Sequence, residues 1–134
     1  FDCDWSEVGM WRTQEVSGGS APFSEPEAQA IRAYVAAHDI TAVVAYYSAA
    51  GEVFASECGN GVLPLTSTLM NAYADASGYV AKEEFDYYAV NGDMTNWFAK
   101  EGIPAISVLL TDHSSSETQK NIAGLTAALE VLAQ

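Results

Sequence analysis

The chain has 134 residues, enough for one domain built around one hydrophobic core. Apolar residues make up 49% and charged ones 17%, a globular balance that excludes a disordered chain. Asp and Glu number 18 against 5 Lys and Arg, a net charge of −13, which argues against nucleic acid and anionic membranes because few cations could displace counterions.

Along the chain, Phe1 to Phe23 reads as irregular, with Gly18-Gly19-Ser20 as a turn and Trp5 and Trp11 as anchors onto the body. Ser24 and Glu27 form a capping-box pattern around Pro26, so a helix is expected from Ser24, fading near His38-Asp39. Ile40 to Tyr47 is a Val- and Tyr-rich apolar run that reads as a buried strand. Ala49-Ala50-Gly51 turns the chain into a second short strand, Glu52 to Ala55. After Gly59-Asn60-Gly61, a helix starts around Pro64 and Thr66, carries Leu65, Leu69 and Tyr73, and stops at Gly78.

Val80 to Val90 mixes acidic and aromatic residues and fits neither period. Asn91-Gly92 marks a turn, and Asp93 is placed to cap a short helix to Lys100, with Gly102 as its stop. Ala105 to Leu110 reads as another buried strand. Ser114 and Glu117 form a second capping-box pattern before a helix whose apolar face carries Ile122, Leu125, Leu129 and Leu132. Helices alternating with apolar strands predict an α/β domain spanning 1–134, three-layered, with a mostly parallel or mixed sheet.

Cys3 and Cys58 are expected to pair in an oxidising compartment; the alternative is two separate thiols. Their wide spacing does not suit metal binding, and His38 and His113 are not spaced as ligands either. Placement outside the cytoplasm, extracellular or periplasmic, accords with the expected bridge. No charged leader precedes an apolar core segment, so no signal peptide is expected within the chain. An opening on Phe1 suggests a processed product or an excised piece.

Several segments carry a family resemblance. Ser17 to Arg32 looks like the stretch that opens a long helix in bacterial zinc carboxypeptidases of the carboxypeptidase A/B type. Phe1-Asp2 resembles the residues just after that family's Asn-Arg substrate clamp. Gly92 to Trp97, then Gly102 to Ile106, resembles the stretch between its specificity loop and its catalytic strand. The resemblance covers only the later part of the family's catalytic domain and implies the C-terminal part of its fold. The earlier part, with a His-x-x-Glu pair of zinc ligands and a carbonyl-polarising arginine, has no counterpart among these residues.

Carried over residue by residue, the third zinc ligand falls on Tyr47 and the proton-shuttling Glu on Leu109. A neutral phenol is a poor zinc ligand, and an aliphatic side chain accepts no proton. Ser48 matches the family's residue type. Tyr88 matches the Tyr that covers substrate. Asp93 and Thr95 match positions lining the pocket for the C-terminal side chain, and Asn96 stands where Asp is usual. Each also has a plainer reading: Tyr47 as strand packing, Leu109 as core, Tyr88 as one aromatic among several, Asp93 as a helix cap.

The resemblance therefore implies a domain without hydrolytic activity, with no cofactor of its own although zinc serves active relatives. Peptide C-termini are the expected partners. Alternatives are a piece of a working zinc carboxypeptidase, or a scaffold that binds nothing. A sheet cut short would also leave an open edge or a bare apolar face through which copies could self-associate.

Overall fold

The computed structural model describes residues 1–134. In chain order it contains β1 (Gly9–Trp11), β2 (Gln14–Val16), α1 (Pro26–Ala37), β3 (Val43–Ser48), β4 (Glu52–Ala55), α2 (Pro64–Ser77), β5 (Val80–Lys82), α3 (Met94–Lys100), β6 (Ala105–Leu110) and α4 (Thr118–Leu132). The central sheet has the order β3-β6-β4-β5, and β1 pairs with β2 in a separate hairpin. β3 runs parallel to β6, β4 antiparallel to β6, and β4 parallel to β5, so the sheet is mixed.

The two-residue period of β6 sorts the core into two layers. Ile106 and Val108 point toward α2 and α4, where they join Val53, Leu69, Met70 and Tyr73. Ala105 points the other way, into a cluster with Cys3, Phe23, Ala28, Trp97 and Phe98 under α1 and α3. Ser107 and Leu109 share the Ala105 side, but farther along the strand they border a cavity. The expected three-layer α/β architecture is the one observed.

Several local expectations need correction. The first 23 residues are not all irregular, since Gly9–Val16 forms the β1–β2 hairpin. Asn91 holds it from a distance, donating through Nδ2 to the carbonyls of Glu7 and Val16, both at 2.9 Å. Trp11 is no anchor in the core but 53% exposed at the hairpin tip, whereas Trp97 is buried. β3 begins at Val43 rather than Ile40, because its ladder starts where Val43 N–H reaches the carbonyl of Pro104, just before β6. It is an edge strand, and Tyr46 and Tyr47 are each 43% exposed.

Neither capping box forms. Ser24 Oγ donates to Glu25 Oε1, and α1 starts at Pro26, whose missing N–H costs nothing in the first turn. Gln29 Nε2 reaches back to the Phe23 and Ser24 carbonyls instead. At α4, Ser114 is engaged by Asp112, and the cap position is Glu117 in the left-handed region, φ 45°. By contrast, Asp93 caps α3 as expected, accepting from Asn96 N–H at 2.9 Å. Gly78 ends α2 in the left-handed conformation (φ 77°) that a glycine adopts without penalty.

The α4 face expected to be buried is largely outward: Ile122, Leu125 and Leu129 are 54%, 37% and 65% exposed. Gly124 and Ala128 face inward instead, because the Tyr73 ring of α2 fills the space beside them.

The carboxylate of Glu117 fastens the β6–α4 loop. It accepts from Thr111 N–H (2.6 Å), Thr111 Oγ1 (2.8 Å), Tyr79 Oη (2.9 Å) and Lys120 Nζ (2.7 Å). The Lys120 contact, then the Thr111 backbone N–H, hold its pKa down to about 2 from an ordinary 4.5. A carboxylate whose folded pKa is depressed stabilises the fold above its unfolded pKa. That contribution is lost as pH falls from about 4.5 toward about 2. The melting temperature is therefore expected to drop across that window, and Glu117→Gln should flatten the drop. An unchanged acid slope in the variant would count against the latch.

Candidate functional site

A cavity of about 170 Å³ opens on the α3 side of the sheet. Its floor comes from three adjacent strands. Tyr47 and Leu109 are direct partners in the parallel β3–β6 ladder, so their side chains rise from the same face. Ser107 lies two residues before Leu109, and Phe54 is its partner on β4. The first turn of α3 supplies one wall through Asp93, Thr95 and Asn96. Phe85, Tyr88 and Val90, from the loop after β5, supply the other. Every residue singled out from the sequence for this site (Tyr47, Ser48, Tyr88, Asp93, Thr95, Leu109) therefore borders one cavity.

The α3 wall is prefolded. Thr95 Oγ1 donates to Asp93 Oδ1 at 2.6 Å and shares a hydrogen bond with Ser107 Oγ at 3.1 Å. Asn96 Oδ1 accepts from the Glu57 N–H at 3.3 Å. Both bonds to Asp93 end on Oδ1, which leaves Oδ2 without a protein partner. The loop wall is held by aromatic contacts and by Tyr87 Oη, which donates to Glu52 Oε2 at 2.6 Å. Phe85 meets Phe54 with ring centres 5.1 Å apart and Tyr88 at 4.8 Å, both edge-to-face. Behind Tyr88 stands Trp11 of the hairpin, at 5.8 Å, and Met10 N–H bonds the Ala89 carbonyl at 2.8 Å. Thus the hairpin that looks peripheral supports the loop that carries Tyr88.

Tyr47 keeps its proton. Burial, then the negative charge of Asp93, then Tyr88, push its phenol up to about 12. Ser48 Oγ and His113 Nδ1 are 2.7 Å apart at the exposed rim. This contact joins the end of β3 to the loop after β6 and was not foreseen from the sequence. Phe54, Phe85 and Ser107 were also not foreseen as cavity residues. A signal existed for Ser107, since a two-residue period places it beside Leu109.

The donors of this cavity alone fall short of a zinc site. Zinc needs three or four nitrogen, sulfur or carboxylate donors converging within a few ångströms. The cavity offers one carboxylate and a protonated phenol. One group of three potential donors does converge within 4.8 Å, Cys3, Asp4 and Cys58. There, however, the two sulfurs are bonded to each other across a Cα–Cα distance of 6.0 Å.

No protein-family model matches the sequence, and no curated protein matches it. Solved structures do resemble it. The carboxypeptidase A from Helicoverpa armigera superposes with a TM-score of 0.73 at 19% identity, over 98% of this chain and 42% of its own. The murein-tripeptide amidase MpaA from Escherichia coli O157 superposes with a TM-score of 0.62 at 20% identity, over 95% of this chain and 52% of its own. Both have the zinc metallocarboxypeptidase fold, and this chain has that fold over roughly half their length. No helix is long and apolar enough to cross a membrane.

Proposed function

We propose that this chain binds the C-terminal end of a peptide in the Tyr47–Tyr88–Asp93 cavity and does not hydrolyse it. The observation that supports this reading is a formed cavity whose lining offers one carboxylate and a neutral phenol. Ser48, Tyr88, Asp93 and Thr95 are the proposed binding residues. Two enzymes of the same fold are named for a carboxypeptidase and a tripeptide amidase activity, which suggests a peptide as the ligand.

Metal-assisted hydrolysis needs a Lewis acid on the carbonyl, an activated water and a group that carries its proton to the leaving amine. At the floor of this cavity Leu109 has no ionisable atom. Tyr47 releases its proton only near pH 12 and cannot serve as a base at neutral pH. The remaining polar groups can position a peptide but not cleave it. The Cys3–Cys58 bridge supports placement in an oxidising, extracellular or periplasmic compartment.

Incubation of the 134-residue chain with added zinc and peptides of varied C-terminal residue is expected to release no amino acid, while calorimetry shows binding that weakens in Tyr88→Ala. Turnover that a chelator abolishes would overturn the reading.

A second reading is favoured by one observation, the 42% and 52% coverage of the two similar structures. On this reading the chain is one piece of a functional zinc metallocarboxypeptidase. Zinc-dependent turnover gained on supplying a complementary segment with His-x-x-Glu would favour it.

A further inference from the structure

We infer that Cys3, Cys58 and Asp4 form a binding site for a zinc-like divalent cation when their bridge is open, so that metal and disulfide are alternative occupants of one place. None of the three borders the cavity, and the inference is independent of the peptide reading.

Folding removes the objection that sequence spacing raises. The two cysteines are 55 residues apart in the chain, yet their Cα atoms stand 6.0 Å apart. Asp4 Oδ2 lies 3.5 Å from Cys3 Sγ. One ligand atom from each of the three residues thus falls within 4.8 Å of the other two. With Zn–S bonds of about 2.3 Å, two sulfurs on one ion are at most about 4.6 Å apart. Side-chain rotation at this Cα separation reaches that span without moving the backbone. Two thiolates and a carboxylate make three ligands of a tetrahedral site, and water completes it. Thiolates select Zn²⁺ over Mg²⁺ and Ca²⁺, which prefer oxygen.

The donors stay in place without the bridge. Gly92 N–H donates to the Cys3 carbonyl, and the N-terminal ammonium donates to the Gly92 carbonyl, both at 2.9 Å. Glu7 N–H closes a turn on the Asp4 carbonyl at 3.1 Å. On the opposite side, Asn96 Oδ1 holds the N–H of Glu57, the neighbour of Cys58, at 3.3 Å. Cys3 is buried among Phe23, Trp97 and Phe98, where a thiolate needs a counter-charge. No protein cation supplies one, since the three lysines face Glu52, Asp2 and Glu117. Asp4 is exposed and in no ion pair, which gives an ion a way in from solvent.

Opening the bridge takes two electrons. A water-soluble phosphine supplies them: its phosphorus is oxidised, water gives the phosphine oxide its oxygen, and the two hydrogens of that water end on the sulfurs. One divalent cation then displaces both thiol protons into solvent, so binding strengthens as pH rises toward the thiol range.

The test uses the whole chain, reduced with a phosphine under anoxic conditions, cleared of reductant and titrated with Co²⁺ as a spectroscopic stand-in for Zn²⁺. One equivalent is expected to bind, with thiolate-to-cobalt charge-transfer absorption that added Zn²⁺ bleaches. The oxidised chain and the reduced Cys58→Ala variant should lack that absorption. Asp4 sits at φ 50°, a conformation Asn also tolerates, so Asp4→Asn removes the charge and keeps the turn. That variant should keep the absorption but bind about tenfold or more weakly, no less than the loss of an outer partner of a metal ligand costs. A reduced chain that keeps its melting transition and binds no Co²⁺ would overturn the site. Asp4→Asn binding as tightly as the parent would overturn the three-donor arrangement. Loss of the melting transition on reduction would overturn it too, because the donors would then share no fixed place.

Discussion

Replacing both bridge cysteines, Cys3→Ala with Cys58→Ala, is expected to lower unfolding free energy by about 4 kcal/mol, the chain-entropy value for a loop of this span. The bridge links residues 55 apart in sequence and thereby restricts much of the unfolded chain. Cys3 is 3% exposed, so alanine is the right replacement; serine would add a buried hydroxyl. Other contacts keep the N-terminal strap in place after the change. The N-terminal ammonium donates to the Gly92 carbonyl, Gly92 N–H bonds the Cys3 carbonyl, and Phe1 stacks on Trp97 with ring centres 5.3 Å apart. The native structure should therefore survive while its margin shrinks, with the melting temperature falling by roughly 10–15 °C. Guanidinium unfolding of the two proteins measures this. A difference below about 1 kcal/mol would mean that the unfolded chain is already restricted without the bridge.

Tyr73→Ala is the second large effect, with an expected loss of about 3–5 kcal/mol typical of a buried aromatic truncation. Tyr73 is fully buried between α2 and α4. Its hydroxyl lies 2.9 Å from Tyr46 Oη and donates to Asn121 Oδ1 at 2.9 Å, so the ring is fixed at its far end as well. The same ring decides the sign of a change at Gly124. A methyl there gains about 1 kcal/mol of helix propensity. It would also come within 2.5 Å of a Tyr73 ring carbon, an overpacking cost of about 1–3 kcal/mol. Because the ring cannot swing away, the clash should win, and Gly124→Ala is expected to destabilise. In a Tyr73→Ala background the obstacle is gone and the same change should stabilise. A double-mutant cycle by chemical denaturation reads this reversal, and additive effects would refute it.

How legible the fold was depends on whether local chemistry or distant contacts decide each element. β4 and β6 appear within the residues expected of them, because apolar runs bounded by turn residues leave little choice. Asp93 caps α3 because capping is a contact within one turn. The edge position of β3 is another matter. Its apolar run looks buried on both sides, and only the insertion of β6 between β3 and β4 decides which strand stays open. The hairpin was hidden because its three-residue strands have no clear alternation and are tied by Asn91, a residue 75 positions beyond Val16. On α4, helical spacing identified an apolar stripe but not its direction, which depends on where Tyr73 sits.

The cavity was half legible. Tyr47 and Leu109 were placed by resemblance, and their partnership across the β3–β6 ladder puts them side by side. The aromatic walls were not, since Phe85 belongs to a segment with no period at all. Its place depends on Phe54 and Tyr88 around it.

The open flank of β3 has a consequence for how this molecule behaves in concentrated solution. A strand with one unsatisfied row of backbone groups, together with the outward Ile122, Leu125 and Leu129, is expected to favour contact between copies, which light scattering at rising salt would read. A net charge of −13 keeps those copies apart. Added electrolyte screens the repulsion, the Debye length shrinking to about 3 Å at 1 M, but leaves the backbone and apolar attractions intact. Dispersal of the molecules is thus expected to depend on the buffer as much as on the fold, with dilute salt favouring separate chains.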